Sequence, residues 1–303
     1  MYIAIDIGGT AIKYGLVDEN GVLTERNEIA TEAQLGGASI RDKVLGIVEH
    51  YVARQEIKGV GISSAGMVDC ETGRIIFANP LIPAYTGINH KEAVEARFHI
   101  PCEVENDVNC AGLAEGVAGA AKGTHSAVVM TVGTGIGGCL IADGRVYHGF
   151  SHSAFEVGYM HIDKGERFER QGAASAMVER VAEAKSEPVS EWNGKRVFSQ
   201  AQAGDAICQE AIDNMVDVLA RGIANVCYII NPEVVVLGGG IMAQQEYLAP
   251  RLNEALDRYL VESVRKHTRL AFAALGNDAG MLGAYYNFRA LHRGSELAGS
   301  NSI

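Results

Sequence analysis

The 303-residue chain is 48% hydrophobic and 21% charged, which excludes a disordered chain and, at roughly 150 residues per domain, favours about two cores. With 26 Lys and Arg against 37 Asp and Glu, its net charge of −11 argues against nucleic acid or an anionic membrane as partner, but leaves small anions open. The 36 glycines show no Gly-X-Y period, and the six cysteines show no Cys-x-x-Cys pair, so neither collagen nor a disulfide framework is indicated.

Residues 2–7 and 11–17 read as strands around Gly8-Gly9, and Asn20-Gly21 marks a hairpin before a strand at 22–29. The N-terminal run lacks a basic flank and is interrupted by Asp6, so it is not a signal peptide. No apolar stretch nears the roughly 18 residues of a membrane span, and a cytoplasmic protein with free thiols is expected. Apolar residues at 40, 44, 47, 48 and 51 predict a helix over 38–56, followed by a strand opening at Gly59 and another at 75–78. Then come a helix at 90–98, a strand at 102–105 and an alanine-rich helix at 108–118. A second strand block opens at Ser126, passes through a glycine-rich turn and returns to a hairpin at Asp143-Gly144. The remainder reads as helices at 172–187, 199–203, 205–229, 246–264 and 278–291, with strands at 234–239 and 268–274. The small polar residues after Arg293 are expected to fray. Alternating strands and helices argue an α/β architecture.

Gly9-Thr10-Ala11-Ile12 leads to Asp18 and Gly21, and Gly133-Thr134-Gly135-Ile136 leads to Asp143 and Gly144. The spacing from Thr10 to Thr134 is 124 residues. Either two unrelated hairpins share a turn type, or one fold is duplicated in two facing halves with a cleft for a ligand that takes backbone N–H groups. Glycine turns between strands present such donors without a Cβ to block approach, the geometry that cradles phosphate. Lys13 adds a cation to the first turn. Asp6 beside a phosphate site is repulsive unless a cation intervenes, which points to Mg²⁺ held through water; the bland alternative is turn capping. The third glycine turn, at 234–240, suits an adenosine or ribose against backbone. None of the turns matches the P-loop pattern, and the 133–138 turn opens a strand rather than a helix, which disfavours a nicotinamide cofactor.

DIGGT-x-x-K (6–13), Glu105-Asn106-Asp107, TVGTGIGG (131–138), EVGY (156–159) and LGGG (237–240), in that order, resemble the ROK family (repressor, open reading frame, kinase) of sugar kinases. The resemblance implies a two-domain α/β actin-like ATPase (ribonuclease H-like) fold with an interdomain cleft. The small domain would be 1–108, with the helix end 291–303 returning to it, and the large domain 109–290. It implies ATP and Mg²⁺ as cofactors, a sugar as the small-molecule partner, transfer to a hexose hydroxyl, usually O6, and a homodimer. The nucleotide would be held by Asp6 (to Mg²⁺ through water), Gly8, Gly9, Thr10, Lys13, Thr131, Gly133, Thr134, Gly135, Gly137, Gly238 and Gly239. Asp107 falls on the family's catalytic base, where its carboxylate accepts the proton of the attacking hydroxyl. As an aspartate before a helix it also suits an N-cap. Asn106, Glu156 and the Gly66 turn fall on sugar contacts.

Tyr159 replaces the family's usual histidine, as a sugar contact that would stack on or bond the ring and a feature of the branch with β-glucoside kinases, whereas residues 82–87 resemble N-acetylmannosamine kinases. The stretch 162–178 contains no cysteine, so the family's structural zinc motif is absent and no zinc site is expected. The motif's closing glutamate corresponds to Glu169, a sugar contact or a solvated helix-start carboxylate. His152 and His161 are expected to pack or lie at the surface. Two other readings remain, a sugar-sensing repressor and a non-catalytic sugar-binding protein. The repressor would carry a winged helix-turn-helix before the first strand, and none is expected ahead of Tyr2. The Asn106-Asp107 pair argues against lost catalysis.

Overall fold

The structure is a computed structural model that describes residues 1–298 apart from Asn79 and Lys164, with side chains described as far as His292. It divides into two units. The first comprises Met1–Val117, His148–Ala154 and the chain from Asn277 onward; the second comprises Ala118–Tyr147 and Phe155–Gly276.

Unit 1 contains β1 (Tyr2–Ile7), β2 (Ala11–Val17), β3 (Leu23–Ala30), α1 (Gly37–Val52), β4 (Gly59–Ser64), β5 (Met67–Asp69), β6 (Arg74–Phe77), α2 (His90–Phe98), β7 (Cys102–Asn106) and α3 (Asp107–Ala118). Unit 2 contains β8 (Ser126–Val132), β9 (Ile136–Ala142), β10 (Arg145–Val146), β11 (His161–Asp163), β12 (Glu166–Arg167), α4 (Phe168–Gly172), α5 (Ala174–Lys185), α6 (Gly194–Gln202), α7 (Ala206–Ile230), β13 (Val234–Gly238), α8 (Gln245–Tyr259), α9 (Glu262–Arg265) and β14 (Arg269–Phe272). The last helix, α10 (Ala279–Ala298), belongs to unit 1.

The main sheet of unit 1 runs β3-β2-β1-β4-β7 and that of unit 2 runs β10-β9-β8-β13-β14. In each, the first two pairings are antiparallel and the last two parallel. The 124-residue repeat is therefore a repeat of sheet topology, with one Gly-Thr turn between the first and second strands of each unit.

Side-chain alternation along β1 organises unit 1. Ile3, Ile5 and Ile7 enter a core with Val44, Val48 and Tyr51 of α1. Tyr2 and Ala4 face the other way, against Met281, Tyr285 and Phe288 of α10. Asp6 follows Tyr2 and Ala4 on that second face. In register with Tyr2, Ala4 and Asp6 on β4 stand Gly59, Gly61 and Ser63. A Cβ at Gly61 would lie 2.4 Å from the Ala284 carbonyl oxygen, so small residues on β4 let α10 lie close to the sheet. In unit 2, Val128, Met130 and Val132 of β8 enter a core with Met177 and Val181 of α5 and Met215, Leu219 and Ile223 of α7.

The units differ from the sequence-derived domain limits. The division follows α3 instead of preceding it, segment 148–154 joins unit 1, and α10 joins unit 1 from its start. The physical reason is that α10's apolar stripe packs on β1 and β4 already from Met281 to Phe288. The helix also continues to Ala298, beyond Arg293; residues 299–303 lie outside the described ones. The expected helix at 172–187 begins earlier and is interrupted at Ala173, whose backbone is extended (φ −70°, ψ 158°). The expected helix at 246–264 likewise breaks after Tyr259, where Leu260 is extended.

Candidate active site

Unit 1 holds Asp107 and the first glycine turn among the residues singled out by sequence. Asp6 ends the α10-facing row of β1, half-buried, and accepts a 2.6 Å hydrogen bond from the Ser63 hydroxyl. A Cβ at Gly280, in the first turn of α10, would approach the Asp6 carboxylate to 2.4 Å, so glycine there makes room for the acid. Burial raises the Asp6 carboxyl above its ordinary range, opposed by the Ser63 hydrogen bond and the Lys13 charge. The turn at 8–10 is fixed by three bonds. Gly8 N–H donates to the Ala11 carbonyl, Thr31 N–H to that of Thr10, and the buried Thr31 hydroxyl to that of Gly8. Gly9 and Thr10 are exposed, and a Cβ at Gly9 would meet nothing within 4 Å. Lys13, in β2, reaches the Asn277 side-chain oxygen at 3.3 Å.

The end of β7 brings Asn106 and Asp107 together. The Asn106 side-chain oxygen accepts from the N–H groups of Val108 (2.9 Å) and Asn109 (3.1 Å), so Asn106 is the N-cap of α3 and Asp107 its first helical residue. This corrects the expectation that Asp107 caps the helix; Asn caps as well as Asp, and the chain leaves its extended strand one residue earlier. The Asn106 amide also donates to the Gly66 carbonyl at 2.9 Å and to the Asp107 carboxylate at 3.1 Å. Both amide hydrogens therefore have acceptors within the chain, and through one of them Asn106 holds Asp107. Gly66 has φ +95°, and a Cβ there would fall 2.7 Å from the Phe77 carbonyl oxygen, so only glycine suits this turn. Behind it, Ser64 and the buried Tyr85 share a 2.7 Å hydrogen bond, and the Tyr85 hydroxyl meets His90 Nε2 at 3.1 Å. Burial, and to a lesser degree the charge of Asp107, raises Tyr85. Burial holds His90 down to about 4.

Sequence reasoning missed a second cluster beside Asp107. Glu105 is fully buried, bonded by Asn106 N–H and the Asn109 amide at Oε1 and by His148 Nε2 at Oε2 (2.7 Å), with the Cys70 thiol 3.4 Å from both oxygens. The Glu105 hydrogen bond raises His148. His152, expected at a surface or in packing, points Nε2 toward Asp69 at 3.6 Å, and exposed His161 meets the Gly165 carbonyl. Positions 70, 105 and 148 are far apart in sequence, and no spacing rule links them.

Unit 2 gathers the rest. Its turn at 133–135 lies at the start of α5, whose Ala174 N–H donates to Gly133 and whose Ser175 hydroxyl donates to the Thr134 carbonyl. A Cβ at Gly133 would meet nothing within 4 Å, as at Gly9, 124 positions earlier. Thr131 pairs in register with Gly137 on one side and Gly238 on the other. Gly239 has φ +101° and lies against Val132, where a Cβ would fall 2.3 Å from the carbonyl oxygen, so its first demand is structural. Glu169, in α4, stands next to the turn: a Cβ at Gly135 would be 2.8 Å from its Oε2, and one at Gly158 3.3 Å. Glu156 is partly buried; burial raises its carboxyl and the Glu169 charge adds to this. Arg167 lies over the Tyr159 ring at 4.8 Å and 4.0 Å from Glu169. Glu156, Tyr159 and Glu169 therefore form one polar group within unit 2, with carboxylates that a ligand's hydroxyls can satisfy by donating.

The model of the ROK family matches residues 2–290. An uncharacterized protein of Clostridium perfringens is 50% identical over 289 residues, covering 95% of this chain and 98% of its own. A beta-glucoside kinase of Klebsiella pneumoniae is 31% identical over 298 residues, covering 96% of each. A ROK family glucokinase from Streptomyces griseus, solved with glucose and AMPPNP, superposes with a TM-score of 0.80 at 27% identity, covering 93% of this chain and 97% of its own.

Proposed function

The chain belongs to the ROK family, with its actin-like ATPase fold, and from that premise we propose that it is an ATP-dependent sugar kinase. It transfers the γ-phosphoryl group to a hydroxyl, O6 by resemblance, of a hexose, β-glucoside or N-acylhexosamine. One observation carries the reading. Gly9 and Gly133 occupy equivalent positions of the two units, neither is required by packing or by a positive φ, and both leave open space where a Cβ would stand. Two such turns suit phosphate oxygens better than any structural demand explains them.

In this reading Gly8, Gly9, Thr10 and Lys13 of unit 1, and Thr131, Gly133, Thr134, Gly135 and Gly137 of unit 2, bind the nucleotide phosphates. Gly238 and Gly239 line the nucleoside. Asp6 fits Mg²⁺ through water, because its half-buried carboxyl has a hydroxyl and an ammonium, but no full ion pair, to offset it. Bound there, the cation neutralises the phosphates. Glu156, Tyr159 and Glu169 bind the sugar, with the Gly66 turn. Asp107 takes the proton as the sugar oxygen bonds to the γ-phosphorus and the bond to the β–γ bridging oxygen breaks, leaving ADP. Asn106 holds the Asp107 carboxylate in place. We place the enzyme in the cytoplasm as a homodimer.

The test is ADP release with ATP and Mg²⁺ against glucose, mannose, fructose, N-acetylmannosamine, N-acetylglucosamine, cellobiose and an aryl β-glucoside. At least one sugar is expected to raise the rate far above the sugar-free rate. Nucleotide binding with no sugar-dependent turnover would contradict the proposal and favour a binding protein.

A further inference from the structure

Cys70, Glu105 and His148 come from three separate stretches of unit 1: the turn just after β5, the interior of β7, and the segment 148–154. Their donor atoms lie within 4.8 Å of one another. Cys70 Sγ is 3.4 Å from each Glu105 oxygen, and His148 Nε2 is 2.7 Å from Oε2. A tetrahedral ion with bonds of about 2.0–2.3 Å needs ligand atoms roughly 3.3–3.8 Å apart. The thiol and carboxylate already stand at that separation, and the half-exposed imidazole needs to retreat by about 1 Å or less.

We propose that these three residues form a site for Zn²⁺, with one coordination position left for water or a ligand. The donor set of one thiolate, one imidazole and one carboxylate is wrong for Mg²⁺ and Ca²⁺, which take oxygen, and suits a borderline divalent ion. The charge balances. Thiolate, carboxylate, neutral imidazole and Zn²⁺ sum to zero, so the occupied site carries no net charge. The outer shell is in place: Asn106 N–H and the Asn109 amide hold Oε1 and orient the carboxylate toward Cys70 and His148. The expectation of a zinc-free chain came from residues 162–178 alone; these donors lie elsewhere.

The probe is Co²⁺, titrated into untagged, chelator-stripped full-length protein, read by the thiolate-to-cobalt charge-transfer band. One equivalent per chain is expected to produce the band, and Zn²⁺ to erase it. Cys70→Ser is expected to abolish the band. His148→Gln keeps the thiol and is expected to weaken Co²⁺ binding at least about tenfold, the scale of losing even an outer partner of a ligand. No band in the wild-type chain, a band surviving Cys70→Ser, or unchanged affinity in His148→Gln would each overturn the site. If Cys70→Ser fails to fold, His148→Gln, with folding confirmed by circular dichroism, decides.

Discussion

The two units share one strand order and one turn, and differ in what the turn carries. In unit 1 it is flanked by Asp6 and Lys13; at the positions 124 residues later unit 2 has Met130 and Gly137. Met130 is buried in the core, while Asp6 is half-buried against Ser63 and Gly280. Unit 1 thus adds charge, and a helix-start carboxylate at Asp107, to the same backbone that unit 2 leaves uncharged at its turn. The carboxylates of unit 2, Glu156 and Glu169, come from the chain between β10 and α5, outside the repeated sheet. On the proposed function, the repeated sheet would set the two phosphate turns and the unit-specific residues would divide the remaining work: proton and cation chemistry in unit 1, recognition in unit 2.

The largest expected effect tests that division at its chemical end. Asp107→Asn keeps shape and helix-start hydrogen bonding but accepts no proton, so kcat should fall by roughly 10²–10⁴ while the sugar KM changes little. Steady-state kinetics on a folded variant check this; a variant keeping more than about a tenth of wild-type kcat would remove Asp107 as base. Glu156→Gln, on the unit 2 side, should do the converse. Losing a hydrogen bond to a charged acceptor costs about 1.5–3 kcal/mol, so the sugar KM should rise roughly 10–100-fold with the smaller change in kcat. Equal losses in kcat and kcat/KM would move Glu156 into the transition state and blur the division.

A smaller effect separates the units by pH. His90 is held at about 4 in the folded chain against 6.5 ordinarily. Between those values the unfolded chain binds a proton that the folded chain does not, so stability falls as pH falls through that window. The loss between pH 7 and pH 5 should be about 2 kcal/mol, and it belongs to unit 1. Protection factors for hydrogen exchange in α2 and β7, corrected for the intrinsic rate, should fall at pH 5, while the fluorescence of Trp192, the chain's one tryptophan and a unit 2 residue, holds. His90→Gln should flatten the exchange difference; an unchanged difference would assign the acid sensitivity elsewhere.

Much of this was legible in sequence, and the remainder has a physical reason for being hidden. Gly-Thr turns and alternating apolar runs announced β1, β2, β8 and β9, because those signals are local. The Asn106-Asp107 pair was legible as a site, but which residue caps α3 depended on where the chain leaves its strand. Ser63 and Gly280 around Asp6 were not legible, since one comes by sheet register and the other from a helix 274 residues away. Gly239 read as a ligand glycine, whereas its contact with Val132 shows a backbone need that sequence does not separate from binding. Cys70, Glu105 and His148 met through tertiary structure alone.

The central claim is that both turns are shaped for a ligand instead of for their own packing. Its most direct measurement is calorimetric titration of a non-hydrolysable ATP analogue, with Mg²⁺, into Gly9→Val and Gly133→Val, alongside their melting curves. Among the described residues, nothing beyond the immediate chain neighbours lies within 4 Å of a Cβ at either position. The account predicts Tm values within about 2 °C of wild type and affinity reduced at least about tenfold in both. Wild-type affinity in either variant, or a large fall in Tm, would mean that the glycines serve the fold and that the turn in question holds no phosphate.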